Sequence, residues 1–202
     1  MIKNIIFDFG DVFINLNKEA TLNELAKLGV KEVNDAMMQV YYDYEMGLLT
    51  TKDFVDYFHQ SFQLEKSDLV AAWNAILLDF PKHRLQFLKA LKASKKYRLF
   101  LLSNTNELHI DWIQNDWGID LYKDFKDCFE QFYLSHEINL RKPNVSIYEF
   151  VLEANQLNPE ETYFIDDTKE NTDAASTLGI HCWTISPKEE DVINLLQQEN
   201  FK

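Results

Sequence analysis

One stretch, Ile5-Ile6-Phe7-Asp8-Phe9-Gly10-Asp11-Val12, constrains this chain more than any other. Ile2 to Phe7 is rich in apolar β-branched and aromatic types, as in a strand buried on both faces. That strand delivers one carboxylate, Asp8, into a tight turn opened by Gly10. A buried acid is costly unless a cation, a metal or hydrogen-bond donors accompany it. In open parallel sheets ligands bind just beyond the carboxyl ends of the strands, and Asp8 stands at such an end. Two readings stay open on this stretch alone: a residue that does chemistry, or a carboxylate capping the next helix.

After Asp8 the apolar spacing turns helical. Lys18 to Leu28 places Leu22, Leu25 and Leu28 on one helix, which Gly29 suits as a stop. A second helix is expected from about Lys31 to Met46, ending near Gly47. Thr50 and Thr51 are N-cap types ahead of Phe54, Val55 and Phe58, and Ser67-Asp68 opens a fourth helix. Four helices without an intervening strand read as a helical module of residues 16–80 inserted after the first strand. Pro81 marks the return. Helix and strand then alternate, with strands expected at Tyr97–Leu102, Phe132–Leu134, Tyr163–Ile165 and His181–Ile185. A last amphipathic helix carries Val192, Ile193, Leu195 and Leu196. The alternation predicts an α/β fold, a doubly wound parallel-sheet core of residues 1–15 and 81–202.

A chain of 202 residues accommodates such a core with an insertion. Its net charge of −13 argues against nucleic acid or an anionic membrane surface as partner. No apolar run approaches the roughly 20 residues of a membrane span, and the N-terminus shows no signal pattern. Cys128 and Cys182, distant and without ligand spacing, read as reduced thiols. The expected setting is cytoplasmic.

Strand ends carry the polar residues. The first ends in Asp8, the second in Ser103-Asn104-Thr105-Asn106, a later one in Asp166-Asp167, and Arg141-Lys142-Pro143 follows the short strand. In a parallel sheet these ends share one edge. Asp8 and Asp167, with a backbone carbonyl from the first turn, offer hard oxygens suited to Mg²⁺. Lys142 is a compact charge able to neutralise both Asp8 and a phosphate. Ser103 and Asn104 add donors to the free N–H groups of a helix start. A carboxylate in such company is equipped for nucleophilic attack on phosphorus.

These four motifs, in this order and spacing, resemble those of the haloacid dehalogenase-like (HAD) hydrolases. The helical insertion is similar to that superfamily's α-helical cap, and Glu45-Met46-Gly47-Leu48-Leu49-Thr50-Thr51 resembles a common cap turn. Leu102–His109, Tyr133-Leu134-Ser135 and Arg141-Lys142-Pro143 look most like bacterial α-D-glucose-1-phosphate phosphatases. The resemblance implies a Mg²⁺-dependent phosphatase acting on a small-molecule phosphomonoester, such as a sugar phosphate. Asp8 would be the nucleophile, forming an aspartyl phosphate, and also a metal ligand. Gly10 would give its carbonyl to the metal, Ser103 and Asn104 would hold phosphate, and Lys142 would balance charge. Asp167 aligns with the direct metal ligand, Asp166 would act through a metal-bound water, and Asn171 replaces an outer acid. Most phosphatases of the superfamily carry an aspartate where this chain has Gly10, as general acid/base. Asp11 is either a substitute or a surface turn residue.

Three other readings compete. A haloacid dehalogenase would attack carbon and need no divalent cation, which the Asp166-Asp167 pair argues against. Gly10 motivates a phosphate-binding or interaction protein with little turnover. A phosphomutase would depend on an acid/base at the Gly10 position. Tyr41, Tyr42, Tyr44 and Trp73 either line the cap's inner face or form its core. His83, His109, His136 and His181 show no recognisable partner, and Lys95-Lys96 and Glu189-Glu190-Asp191 read as solvated faces.

Overall fold

A computed structural model describes residues 1–201. Five strands, β1 (Asn4–Phe7), β2 (Arg98–Ser103), β3 (Gln131–Leu134), β4 (Thr162–Asp166) and β5 (His181–Thr184), form one parallel sheet in the order β3-β2-β1-β4-β5. β1 is central, and alternate side chains serve opposite faces. Ile5, Phe7, Leu99, Leu101, Tyr163 and Ile165 enter one apolar cluster. Ile6, Phe100, Leu102 and Phe164 enter the other. Burial on both faces is why these strands read as continuous apolar runs.

One face is covered by α5 (Lys82–Ser94), α6 (Glu107–Trp117) and α7 (Ile119–Lys126). There Phe125 packs between Phe9 and Phe13, each with a ring centroid 5.1 Å from its own. The other face is covered by α9 (Val145–Asn155) and α10 (Lys169–Ser176), while α8 (Ser135–Ile138) is a single turn after β3.

Between β1 and α5 lie α1 (Ala20–Lys27), α2 (Asp35–Glu45), α3 (Thr51–Phe62) and α4 (Lys66–Asn74). They have an apolar core of their own, including Leu25, Met37, Tyr44, Phe54, Leu69 and Trp73. Two adjacent segments join this module to the sheet. Leu16 and Leu77 form an antiparallel bridge, and Asn15 pairs with the backbone of Leu78 and Asp79 at 3.0 Å each.

Several boundaries differ from expectation for identifiable reasons. α2 begins at Asp35 rather than Lys31 because the Asn34 side chain accepts from the Met37 N–H at 3.0 Å, fixing the start. α3 starts as expected, capped by Thr50. Gly118, with φ of +83°, breaks an unforeseen α7 away from α6. The closing helix is instead a 3₁₀ run, Val192–Gln197. Three residues per turn stack Val192 over Leu195 in the core, leaving Ile193 and Leu196 exposed. Among the described residues, no helix is long and apolar enough to cross a membrane.

Candidate active site

The register of the sheet builds the site. Phe7 is level with Leu101 on one side and Ile165 on the other. Asp8, the residue after β1, therefore lies beside the ends of both neighbours. Its N–H donates to the Ile165 carbonyl at 2.8 Å.

Lys142, almost fully buried, joins these strand ends. Its Nζ donates to Asp8 Oδ1 at 2.7 Å, Asp166 Oδ2 at 2.6 Å and the Leu102 carbonyl at 2.8 Å, so all three N–H groups are used. The lysine is held in turn by Asn104, whose amide accepts from the Lys142 N–H and donates to the Lys142 carbonyl, both at 2.9 Å. Asn104, expected as a phosphate ligand, thus has its side chain committed to positioning Lys142. Ser103 is also buried and faces the same cavity, with only a 3.4 Å hydroxyl contact to its neighbour's carbonyl.

The two acids after β4 differ sharply. Asp166 is completely buried and accepts from Lys142, the Thr168 N–H at 2.8 Å and the Asn171 amide at 3.0 Å. Asp167 faces the cavity and pairs with Lys18. Oxygens from Asp8, Asp166 and Asp167 lie within 4.8 Å of one another.

Charge is unbalanced here. One ammonium faces the buried carboxylates Asp8 and Asp166, with Asp167 beside them. Burial pushes the Asp8 carboxyl up to about 7 against the pull of Lys142, and Asp166 and Asp167 push the same way. Burial alone would lower Lys142, but Asp166 and Asp8 outweigh it and hold its pKa above the usual value. Both shifts favour the proton-bound form, and a lysine donating three bonds stays charged; the acids outnumber it, so the surplus is negative. Hard oxygens with surplus negative charge suit a divalent cation.

Asp11 does not line the cavity. At φ of +55° it accepts from the Leu16 N–H at 2.9 Å and pairs with Lys18 at 3.3 Å, the behaviour of a turn residue. Gly10 does line the cavity, and a Cβ there would meet Leu16 Cδ1 at 2.6 Å.

The cavity, about 430 Å³, is lined on one side by residues of the helical module. Tyr41 and Tyr42 line it, whereas Tyr44 and Trp73 belong to the module's core, Tyr44 stacking on Phe54 at 4.2 Å. Glu45, Lys18 and His109 also line it, in roles that sequence reading did not supply. His109 is a lining residue with both ring nitrogens engaged, by Asn106 at 3.2 Å and the Trp73 carbonyl at 3.3 Å. Burial pushes its pKa down to about 4, so the ring is neutral near pH 7. His83 and Asp191 are not isolated either: they pair at 2.9 Å, and Arg84 joins them at 3.2 Å.

Comparison with known proteins agrees with this arrangement. Residues 2–179 match the family model described as haloacid dehalogenase-like hydrolase. The chain is 26% identical over 186 residues to the D-ribitol-5-phosphate phosphatase of Bacteroides thetaiotaomicron, covering 89% of each chain. A HAD family enzyme from the same organism, crystallised as a magnesium complex, superposes with a TM-score of 0.85 at 34% identity, over 98% of this chain and 99% of that one. Its complex with magnesium and inorganic phosphate gives 0.79 at 32% identity, over 94% and 97%. With the family model spanning most of its length, the chain belongs to the haloacid dehalogenase-like hydrolases.

Proposed function

We propose that the protein is a Mg²⁺-dependent phosphatase that hydrolyses small phosphorylated metabolites through an aspartyl phosphate on Asp8. Sugar phosphates, glucose 1-phosphate among them, are the substrate class. The observation that carries this is the Asp8–Lys142–Asp166 triad with Asp167 at its edge, a surplus of negative oxygen facing a cavity of metabolite size. The relatives that bind magnesium and phosphate, or carry a phosphatase name, support the same reading.

In the proposed reaction an Asp8 oxygen bonds to phosphorus as the ester oxygen leaves with the electron pair and takes up a proton. Water then attacks the acyl phosphate, releasing inorganic phosphate and restoring the Asp8 carboxylate. Lys142 fixes Asp8 and offsets developing charge. Ser103 and the backbone N–H groups after β2 receive phosphate oxygens. Asp8, the Gly10 carbonyl and Asp167 would hold the Mg²⁺, with Asp166 behind them orienting Lys142; the bound ion supplies Lewis-acid polarisation of the phosphoryl oxygens. The helical module, residues 16–80, acts as the cap that excludes bulk water. The cytoplasm is the setting proposed, in keeping with two unpaired cysteines.

The test is phosphate release across a panel of phosphometabolites, with and without Mg²⁺. Chelation should abolish release, and Asp167→Ala should raise the Mg²⁺ requirement. Asp166→Ala should show itself first as lost stability, because three donors lose their acceptor. Release that persists in chelator at an unchanged rate would remove the metal from the reaction.

A further inference from the structure

Glu45 is the least expected group in the cavity. It ends α2 with its carboxylate buried at the cavity that Asp8 also lines. One oxygen accepts from the Tyr41 hydroxyl at 2.6 Å, the other from Arg141 Nε at 3.1 Å and its terminal nitrogen at 2.9 Å. Arg141 lies 4.3 Å over the Tyr42 ring, and the next residue along the chain is the Lys142 that grips Asp8. Each charged group in this cluster is therefore fixed by at least two contacts.

We infer that Glu45, set by Tyr41 and Arg141, is the group that selects polyhydroxyl phosphate esters over esters without hydroxyls. The inference rests on the phosphatase reading and names how that site discriminates. Three observations carry it. Glu45 lines the same cavity as Asp8, Ser103 and Lys142, and its partner Arg141 is the chain neighbour of Lys142, so the carboxylate lies within a small molecule's span of the phosphate site. A carboxylate has about four lone-pair positions, and the three bonds present leave room for a substrate hydroxyl. The Glu45–Arg141 pair is neutral overall, so this wall does not favour a second phosphate or an ammonium; it favours neutral groups that donate hydrogen bonds. A cavity of about 430 Å³ is large enough for a monosaccharide or polyol phosphate.

An alternative role, fastening the cap to the core through Glu45–Arg141, makes a different forecast. A fastening residue affects all substrates alike. A selecting residue changes their ratio, because a site built to bond a hydroxyl discriminates strongly against its absence.

The test compares glucose 1-phosphate and ribitol 5-phosphate with phenyl phosphate in wild type, Glu45→Gln and Tyr41→Phe, with melting temperatures recorded. The expected result in Glu45→Gln is a fall of about tenfold or more in the kcat/KM ratio of polyol to phenyl ester, mainly through KM. Tyr41→Phe should move the ratio the same way by a smaller factor. Calorimetric binding of the same esters to Asp8→Asn, with and without Glu45→Gln, reads selectivity without turnover. Preferential loss of polyol-ester binding there supports the inference even if no ester is hydrolysed, a result that would sink only the phosphatase reading. Parallel losses for all esters in both measurements, or polyol esters binding no better than phenyl phosphate in the parent, would overturn it.

Discussion

At the scale of single residues, Lys142 decides whether the site exists. Among the described residues it is the one cation reaching both buried acids of the triad, through two ion pairs of 2.7 and 2.6 Å. Removing one partner of a buried pair typically costs about 3–5 kcal/mol, because the other charge is left without compensation. Lys142→Met should therefore lower stability by about 3 kcal/mol or more and abolish turnover. The deficit should shrink as the pH falls and the orphaned carboxylates protonate. A Lys142→Met protein as stable as wild type at pH 8 by urea denaturation would contradict this placement. Asp8 was legible because an acid closing an apolar strand is expensive to bury and demands a reason, and Lys142 because Arg141-Lys142-Pro143 stands among the ordered polar motifs that follow the strands. Glu45 and Lys18 were not legible. Nothing local distinguishes a helix-end glutamate that faces solvent from one folded over a cavity, since its burial is created by Arg141, 96 residues later.

At the scale of elements, the turn after β1 governs how the leaving group departs. With glycine at position 10, the proposed chemistry has no positioned acid there, and a general acid typically contributes about 10²–10⁴ in rate. Charge builds on the leaving oxygen in phosphoryl transfer. Aryl and anomeric phosphates should accordingly show higher kcat/KM than alkyl phosphates of similar size. Gly10→Asp should narrow that gap, but only once Leu16 gives way, since its Cδ1 would stand 2.6 Å from the new Cβ. The double variant Gly10→Asp/Leu16→Ala should narrow it further. Equal rates for aryl and alkyl esters in wild type, becoming unequal in Asp11→Asn, would assign the proton to Asp11 instead. Sequence periodicity located most helices and all five strands, because both sheet faces are apolar. It missed α7, where Gly118 resets the helix within one apolar stretch, and it misjudged the 3₁₀ run, whose Val192–Leu195 spacing suits either helix type.

At the scale of the whole molecule, cap and core are joined by buried polar contacts that depend on protonation. His109 stacks on Trp73 of the cap with centroids 5.8 Å apart, and Asn106 bonds both rings. Its pKa falls from an ordinary 6.5 to about 4 on folding, so between those values the unfolded chain binds the extra proton. The contribution of His109 to stability must then rise with pH across that window and be lost as pH falls through it, by on the order of 3 kcal/mol, while the raised pKa of Asp8 contributes in the opposite sense. His136, also pushed down by burial, adds in the same sense as His109. His109→Gln should flatten the limb between pH 4 and 6.5 in urea denaturation, and an unchanged slope would mean the ring is not shielded as the structure has it.

The account as a whole stands on Asp8 as the nucleophile. A single-turnover reaction with ³²P-labelled glucose 1-phosphate, quenched in acid and digested, measures that most directly. The account predicts label on the peptide carrying Asp8, removable by hydroxylamine and absent from the Asp8→Asn protein. Release of labelled phosphate by Asp8→Asn at the wild-type rate, or label on a peptide without Asp8, would contradict it.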